Sequence, residues 1–173
     1  PPEGRIRLPG SKSLTNRALL VAAMTGRRVE LRNVLLSDDT RRMIDCLRHL
    51  GREIGDLGGE TLVVARSAAV FPRDQAKLDV GNAGTVARFL TAALATRDGG
   101  RYELDGTEAM RRRPMKGLTD ALESQGTTFA FEAGAGHFPL AMSSSGLRGG
   151  RVSCDASRSG QILSALLIAG TRA

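Results

Sequence analysis

Gly81-Asn82-Ala83-Gly84-Thr85-Val86-Ala87-Arg88, running straight into the apolar segment Phe89 to Ala95, is the stretch that decides the fold. A loop of small residues feeds a helix that carries a single charge. Such a helix must be covered on most of its sides. Its start presents backbone N–H groups at the positive end of the helix dipole, where anions are favoured. The chain writes this unit more than once. Gly10-Ser11-Lys12-Ser13, then Asn16-Arg17, lead into Ala18 to Met24. Ser157-Arg158-Ser159-Gly160, then Gln161, lead into Ile162 to Ala169. Arg17, Arg88 and Gln161 fall roughly 70 residues apart, a period too long for a solenoid and suited to duplicated subdomains.

Outward from these helices the pattern is regular. In the first unit, a strand over Arg5–Leu8, a helix capped by Ser13 or Thr15, and a strand over Val29–Leu35 are expected. The helix carries an inward stripe of Leu19, Leu20, Ala23 and Met24. Ser37-Asp38-Asp39 opens a second helix with acids in its first turn, and Met43, Ile44, Leu47 and Leu50 line its inner face. Arg52–Ile54 and Thr61–Ala65, around Gly58-Gly59, read as a hairpin. The second unit repeats the order with strands over Lys77–Val80 and Arg101–Leu104, a helix starting near Pro114, and strands over Thr127–Phe131 and Phe138–Met142. A third unit begins with a strand over Gly150–Cys154 and a helix over Ser159–Ala169. The expectation is an α/β (α+β) fold of β-α-β-α-β-β subdomains: repeat one over 4–75, repeat two over 76–148, the start of repeat three over 149–173. A third unit that only begins makes the 173 residues read as most of one domain of something longer.

Composition narrows the function. Hydrophobic residues make up 41% of the chain, enough for a packed core, and the net charge of +7 favours anionic partners. Aromatic residues make up 3%, with no Trp, so base stacking has few platforms and a nucleic-acid role is disfavoured. The longest cationic tract is Arg111-Arg112-Arg113, so the charge is spread through folded segments. Cys46 and Cys154 make no disulfide framework, and His49 and His137 stand alone, so no metal set is expected. No apolar run reaches membrane-spanning length.

The candidate site is a group of cations and small polar residues at the helix starts. Lys12, Arg17, Arg88 and Arg113 are the cations, two of them at matching repeat positions. Ser11, Ser13, Thr85, Ser157 and Ser159 suit helix caps or phosphate oxygens, and Gly84 lets a ligand approach the backbone. Gln161 offers amide N–H donors at the third matching position. Asp38 and Asp39 read as first-turn acids, and no acid–base couple or nucleophilic triad is visible. The anion-binding half of a reaction is present, without the proton-transfer half.

These motifs resemble the 5-enolpyruvylshikimate-3-phosphate synthase family. Leu8-Pro9-Gly10-Ser11-Lys12-Ser13 with Asn16-Arg17 is similar to its opening motif, and Ser37-Asp38-Asp39-Thr40 to its next helix start. Gly81 to Thr85 with Arg88, Asp105-Gly106 with Met110 and Arg113-Pro114, and Asp155 to Gln161 resemble three further motifs in order. The resemblance implies two globular domains around a cleft. It implies transfer of the enolpyruvyl group of phosphoenolpyruvate to the 5-hydroxyl of shikimate 3-phosphate, by addition and elimination, with no cofactor and no metal. Carried over by residue, Lys12 meets both substrates, Ser13, Arg17 and Ser159 hold shikimate 3-phosphate, and Ser157 is a further substrate-binding residue. Gly84, Thr85 and Arg113 shape the phosphoenolpyruvate pocket, Gln161 lies between the ligands, and Asn82 and Arg88 belong to the same motif. The family's acid–base residues match nothing within this chain. A second domain, in cis or in trans, is the implied partner, and the intact protein is expected to be a cytoplasmic monomer of bacterial type. Gly160 stands where the family usually has a second Ser, and Phe89 where it usually has Pro. The enolpyruvyl transferase acting on UDP-N-acetylglucosamine is the nearest rival, but it usually pairs the lysine with Asn, not with Ser13. A non-catalytic module for a phosphorylated ligand is the second alternative.

Overall fold

The computed structural model describes residues 4, 6, 8–155, 157 and 159–173. Three apolar helices, α1 (Lys12–Thr25), α3 (Gly84–Ala95) and α6 (Gly160–Gly170), form its spine. All twelve residues of α3 are buried, as its lack of a polar face requires. It is covered by α1 and by α6, and on its other sides by α2 (Asp38–His49), α5 (Lys116–Glu123), β5 (Asp98–Asp105) and β7 (Leu140–Ser145). Burying Phe89, Leu90 and Leu94, all at 0% exposure, gains about 1.5–3 kcal/mol for each side chain.

The strands form two sheets. β1 (Val29–Leu31), β3 (Thr61–Val64) and β2 (Ile54–Gly58) lie in that order, all antiparallel. The second sheet runs β4 (Gln75–Asp79), β5, β7, β6 (Thr128–Phe131). β4 is parallel to β5 and joined to it through α3, the crossover a parallel pair needs. β5–β7–β6 is antiparallel and repeats the arrangement of β1–β3–β2.

α1 and α6 run in the same direction. Their first turns lie together at the candidate site, and Arg172, just past α6, donates to the Met24 carbonyl in the last turn of α1 at 3.0 Å. Arg97, just past α3, lies at this same end beside Arg172. Cations thus gather where the helix dipoles are negative, and the positive ends are left for the site.

Several expected elements differ. The cap of α1 is Ser11, whose hydroxyl accepts from Leu14 N–H; Ser13 lies inside the helix, and the Thr15 hydroxyl accepts instead from Leu35 N–H at 3.1 Å. The strand expected over Val29–Leu35 ends at Leu31, because Asn33 turns left-handed at φ 56° and Val34 N–H donates to the Glu60 carbonyl. The hairpin strand begins at Ile54, not Arg52. The Arg52 guanidinium is buried and donates to the Ala65 and Ala69 carbonyls. Gly150–Cys154 is not a strand, since its backbone finds no ladder partner among the described residues. In the strand expected over Arg5–Leu8, Arg5 and Arg7 lie outside the described residues, and Ile6 and Leu8 are in no strand. A short helix, α4 (Glu108–Arg111), capped by Thr107, was not apparent from the periodicity.

Candidate functional site

The first turns of α1, α3 and α6 open on one hollow of about 830 Å³. Its walls include Lys12 and Ser13 from α1, Asn82, Gly84 and Thr85 around the start of α3, Arg113, and Gln161 from α6. No side chain caps α3, so its first-turn N–H groups remain to meet an acceptor in the hollow.

The turn into α3 is held from below. Asp79 accepts from Gly81 N–H at 2.8 Å with one oxygen and from Arg42 at 2.9 Å with the other. The Gly81 carbonyl accepts from Thr107 N–H, and Gly81 itself sits at φ 58°, where a side chain is disfavoured and the Arg42 side chain already lies. Gly84 is different: it has ordinary helical backbone and is small for reasons of space. A Cβ there would lie 2.9 Å from an Arg88 nitrogen and 3.0 Å from an Arg113 nitrogen. Its missing side chain is the room those two guanidinium groups occupy.

The cations differ in their bonding. Lys12 is paired with Asp39 at 3.1 Å, so an incoming anion competes with a carboxylate at the start of α2. Arg113 has an exposed side chain with no acceptor among the described residues. Arg88 is only 7% exposed and does not line the hollow. It donates to the Gly84 carbonyl at 3.2 Å, the Gln161 amide oxygen at 3.2 Å and the Pro114 carbonyl at 3.0 Å. Its Nε finds no partner among the described residues. Burial, and then the nearby charge of Arg113, pull its pKa below the ordinary arginine value. All three acceptors are neutral, so the charge of Arg88 is not cancelled and adds to the potential of the hollow.

Arg17 also stands back from the hollow. Its Nη1 donates to the Ser13 carbonyl at 3.1 Å and its Nη2 to the Ser164 hydroxyl at 3.1 Å. Ser159 caps α6, its hydroxyl accepting from Gln161 N–H at 3.2 Å, and Ser157 is exposed in the loop before it, with its N–H on Asp155. Arg158 lies outside the described residues. Of the residues singled out from sequence, the structure brings Lys12, Ser13, Asn82, Gly84, Thr85, Arg113 and Gln161 to the hollow. Arg17, Arg88, Ser157 and Ser159 are not on its wall.

Sequence reasoning missed one wall. Asp38, Arg41, Arg42 and Asp45 form the polar stripe of α2, opposite its buried Met43, Ile44 and Leu47, and face the hollow. Their spacing of three and four residues was the available signal. Cys46, on the same helix, takes no part. Its pKa is pushed up to about 12, mainly by burial, so it remains a neutral thiol. Among the described residues no cluster of His, Cys, Asp or Glu suits a metal ion, and no helix is long and apolar enough to cross a membrane.

The model of the family described as EPSP synthase (3-phosphoshikimate 1-carboxyvinyltransferase) matches residues 1–173. A 3-phosphoshikimate 1-carboxyvinyltransferase of Opitutus terrae is 49% identical over 173 residues, covering 97% of this chain and 39% of that protein. A protein of the same name from Bordetella avium is 45% identical over 166 residues, covering 96% of this chain and 37% of its own length. A solved EPSP synthase of Acinetobacter baumannii superposes with a TM-score of 0.82 at 21% identity, over 98% of this chain and 38% of that one. The chain therefore spans about two fifths of these proteins.

Proposed function

The chain belongs to the EPSP synthase family, and on that premise we propose that it supplies the shikimate 3-phosphate site and part of the phosphoenolpyruvate site of a 3-phosphoshikimate 1-carboxyvinyltransferase. The single observation that carries the reading is the hollow itself. Uncapped helix N–H groups, the Arg113 guanidinium, which has no acceptor among the described residues, Lys12 and Gln161 line one cavity of about 830 Å³. Both substrates carry a phosphate and a carboxylate, and such groups suit charge-assisted contacts of this kind.

In this reading Arg113 and the first turn of α3 hold phosphoenolpyruvate, with Gly84 keeping the space open. Lys12 leaves Asp39 to bridge the two substrates. Ser13, Arg17, Ser157 and Ser159 hold shikimate 3-phosphate, Asn82 closes the rim, and Gln161 lies between the ligands. Arg88 is assigned a positioning role, through the Gly84 carbonyl, Gln161 and the Pro114 carbonyl next to Arg113. The 5-hydroxyl oxygen loses its proton and adds to C2 of phosphoenolpyruvate, while the methylene carbon of phosphoenolpyruvate gains a proton and becomes a methyl group. Elimination then removes a methyl proton, breaks the C2–O bond to the phosphate and releases phosphate. The groups that move these protons are assigned to the rest of the protein, which in the family lies across a cleft. The intact enzyme is proposed to work in the cytoplasm as a monomer.

Calorimetry of the chain with shikimate 3-phosphate tests the binding. Measurable heat is expected, with Lys12→Ala weakening it about tenfold, the effect of about 1.4 kcal/mol. Phosphate release from the two substrates is expected only when the chain is joined to the remaining three fifths of the enzyme. Absence of both heat and turnover in the joined protein overturns the proposal.

A further inference from the structure

Arginines on helix faces ordinarily sample many rotamers, and a ligand then pays the ordering cost. Arg17 is restrained on several sides before any ligand arrives. One arm of its fork is on the Ser13 carbonyl of its own helix, and the other crosses to the Ser164 hydroxyl of α6. The group also sits over an aromatic face: its central carbon lies 4.9 Å from the centroid of the Phe89 ring and over it. That ring is itself fixed. Phe89 is 0% exposed and belongs to α3, the helix buried at every position. Ser13 and Gln161, one turn from Arg17 and from Ser164 respectively, line the hollow. The seat is therefore one helical turn behind the site, where three helices meet.

We infer that Phe89 is a positioning residue for anion binding: its ring seats the Arg17 guanidinium by a cation–π contact and holds the remaining N–H donors in a fixed plane. This rests on the reading of Arg17 as a contact to shikimate 3-phosphate only for its consequence; the seat itself is a property of the free protein. A residue that merely filled the core at 89 would be replaceable by an aliphatic side chain with no effect on Arg17. An aromatic face is needed to hold a cation by its quadrupole. Because Phe89 follows Arg88 directly, a single turn of α3 steadies cations on two sides, Arg17 through the ring and the Arg113 loop through Pro114.

Arginine side-chain NMR on the full chain, without ligand, tests the seat. The Nε–Hε signal of Arg17, assigned by its loss in Arg17→Lys, is expected to be ring-current shifted and to return toward exposed arginines in Phe89→Leu. A wild-type signal that is not shifted overturns the inference, whether or not the Leu variant folds. Calorimetry with shikimate 3-phosphate then reads the consequence. Phe89→Leu is expected to bind about three- to tenfold more weakly, with little further loss when Arg17→Lys is added. Equal affinity of Phe89→Leu and wild type overturns the positioning role. A shifted signal with no binding by wild type supports the seat and sinks the functional reading instead.

Discussion

Arg17 and Arg88 occupy the same position in successive repeats and make the same local bond, each to the carbonyl four residues earlier. Their surroundings divide them. Arg17 is half-buried, holds its central carbon over an aromatic ring and sends its second arm to a serine hydroxyl. Arg88 is almost wholly buried and sends its arms to Gln161 and to the Pro114 carbonyl. The two helix starts carry equivalent cations, and position within the helix spine gives them separate surroundings. α3 is the middle helix, so its arginine became an internal tie. α1 is an outer helix, with Leu14 and Val21 exposed, so its arginine is only half-buried.

The largest effect is expected where that difference is removed from the inside. Arg88→Met takes away one guanidinium and leaves the Pro114 carbonyl and the Gln161 amide oxygen without donors. Pro114 is exposed and Gln161 lines the hollow, so water reaches these acceptors in part and each costs toward the lower end of about 1–3 kcal/mol. Relief of a desolvated charge, also repelled by Arg113, offsets part of this. A net loss of about 1–2 kcal/mol is expected, read as a fall of about 3–6 °C in melting temperature. Arg88→Lys keeps the charge but cannot span three acceptors, and it should recover less than half. A Met variant as stable as wild type would remove the distinction between the two arginines.

Much of this arrangement was legible in the chain. The apolar run after Arg88 required a helix covered all round, and α3 is that helix. The capping signal at Ser37 and the inward stripe of α2 are both realised, Ser37 forming a reciprocal cap with Thr40. What periodicity missed was set by distant partners. Three hydroxyls compete at the start of α1, and the choice fell to Ser11 because Leu35 N–H, twenty residues on, takes Thr15. The alternation from Val29 to Arg32 breaks at Asn33, and the strand stops at Leu31 before Asn33 turns the chain. The separate environments of Arg17 and Arg88 were equally hidden. Pro114, Gln161 and Ser164 decide them, and no local pattern reports on residues so remote in sequence.

A smaller effect is expected from adding one methyl group at the acceptor of the buried tie. Gly84→Ala places a Cβ 2.9 Å from Arg88 and 3.0 Å from Arg113, both contacts being with the ends of side chains. Arg88 is pinned by two further acceptors, so Arg113 gives way. Helix propensity favours Ala by up to about 1 kcal/mol, which roughly cancels the crowding, so the melting temperature should stay within a few degrees of wild type. Affinity for phosphoenolpyruvate in the joined enzyme should fall about tenfold, because the displaced cation is the one assigned to it. Loss of stability without loss of affinity would place Arg113 outside the site.

The smallest effect on stability belongs to Arg17→Met, which sharpens the comparison most. Arg17 is half-buried, and its bonds to the Ser13 carbonyl and the Ser164 hydroxyl have acceptors that water can reach in its absence. Methionine retains contact with the Phe89 ring through its sulfur, a substitute of about 0.3–1.5 kcal/mol. The melting temperature should therefore move by less than about 3 °C. Binding should respond in the opposite proportion. If Arg17 donates to a charged group of shikimate 3-phosphate, its loss removes charge-assisted bonds of about 1.5–3 kcal/mol, a fall of ten- to a hundredfold in affinity. Two arginines at one repeat position would then separate cleanly, one read by melting and the other by calorimetry. A large stability loss in Arg17→Met with unchanged affinity would make both arginines structural and leave Lys12 and Arg113 as the cations that meet the ligands.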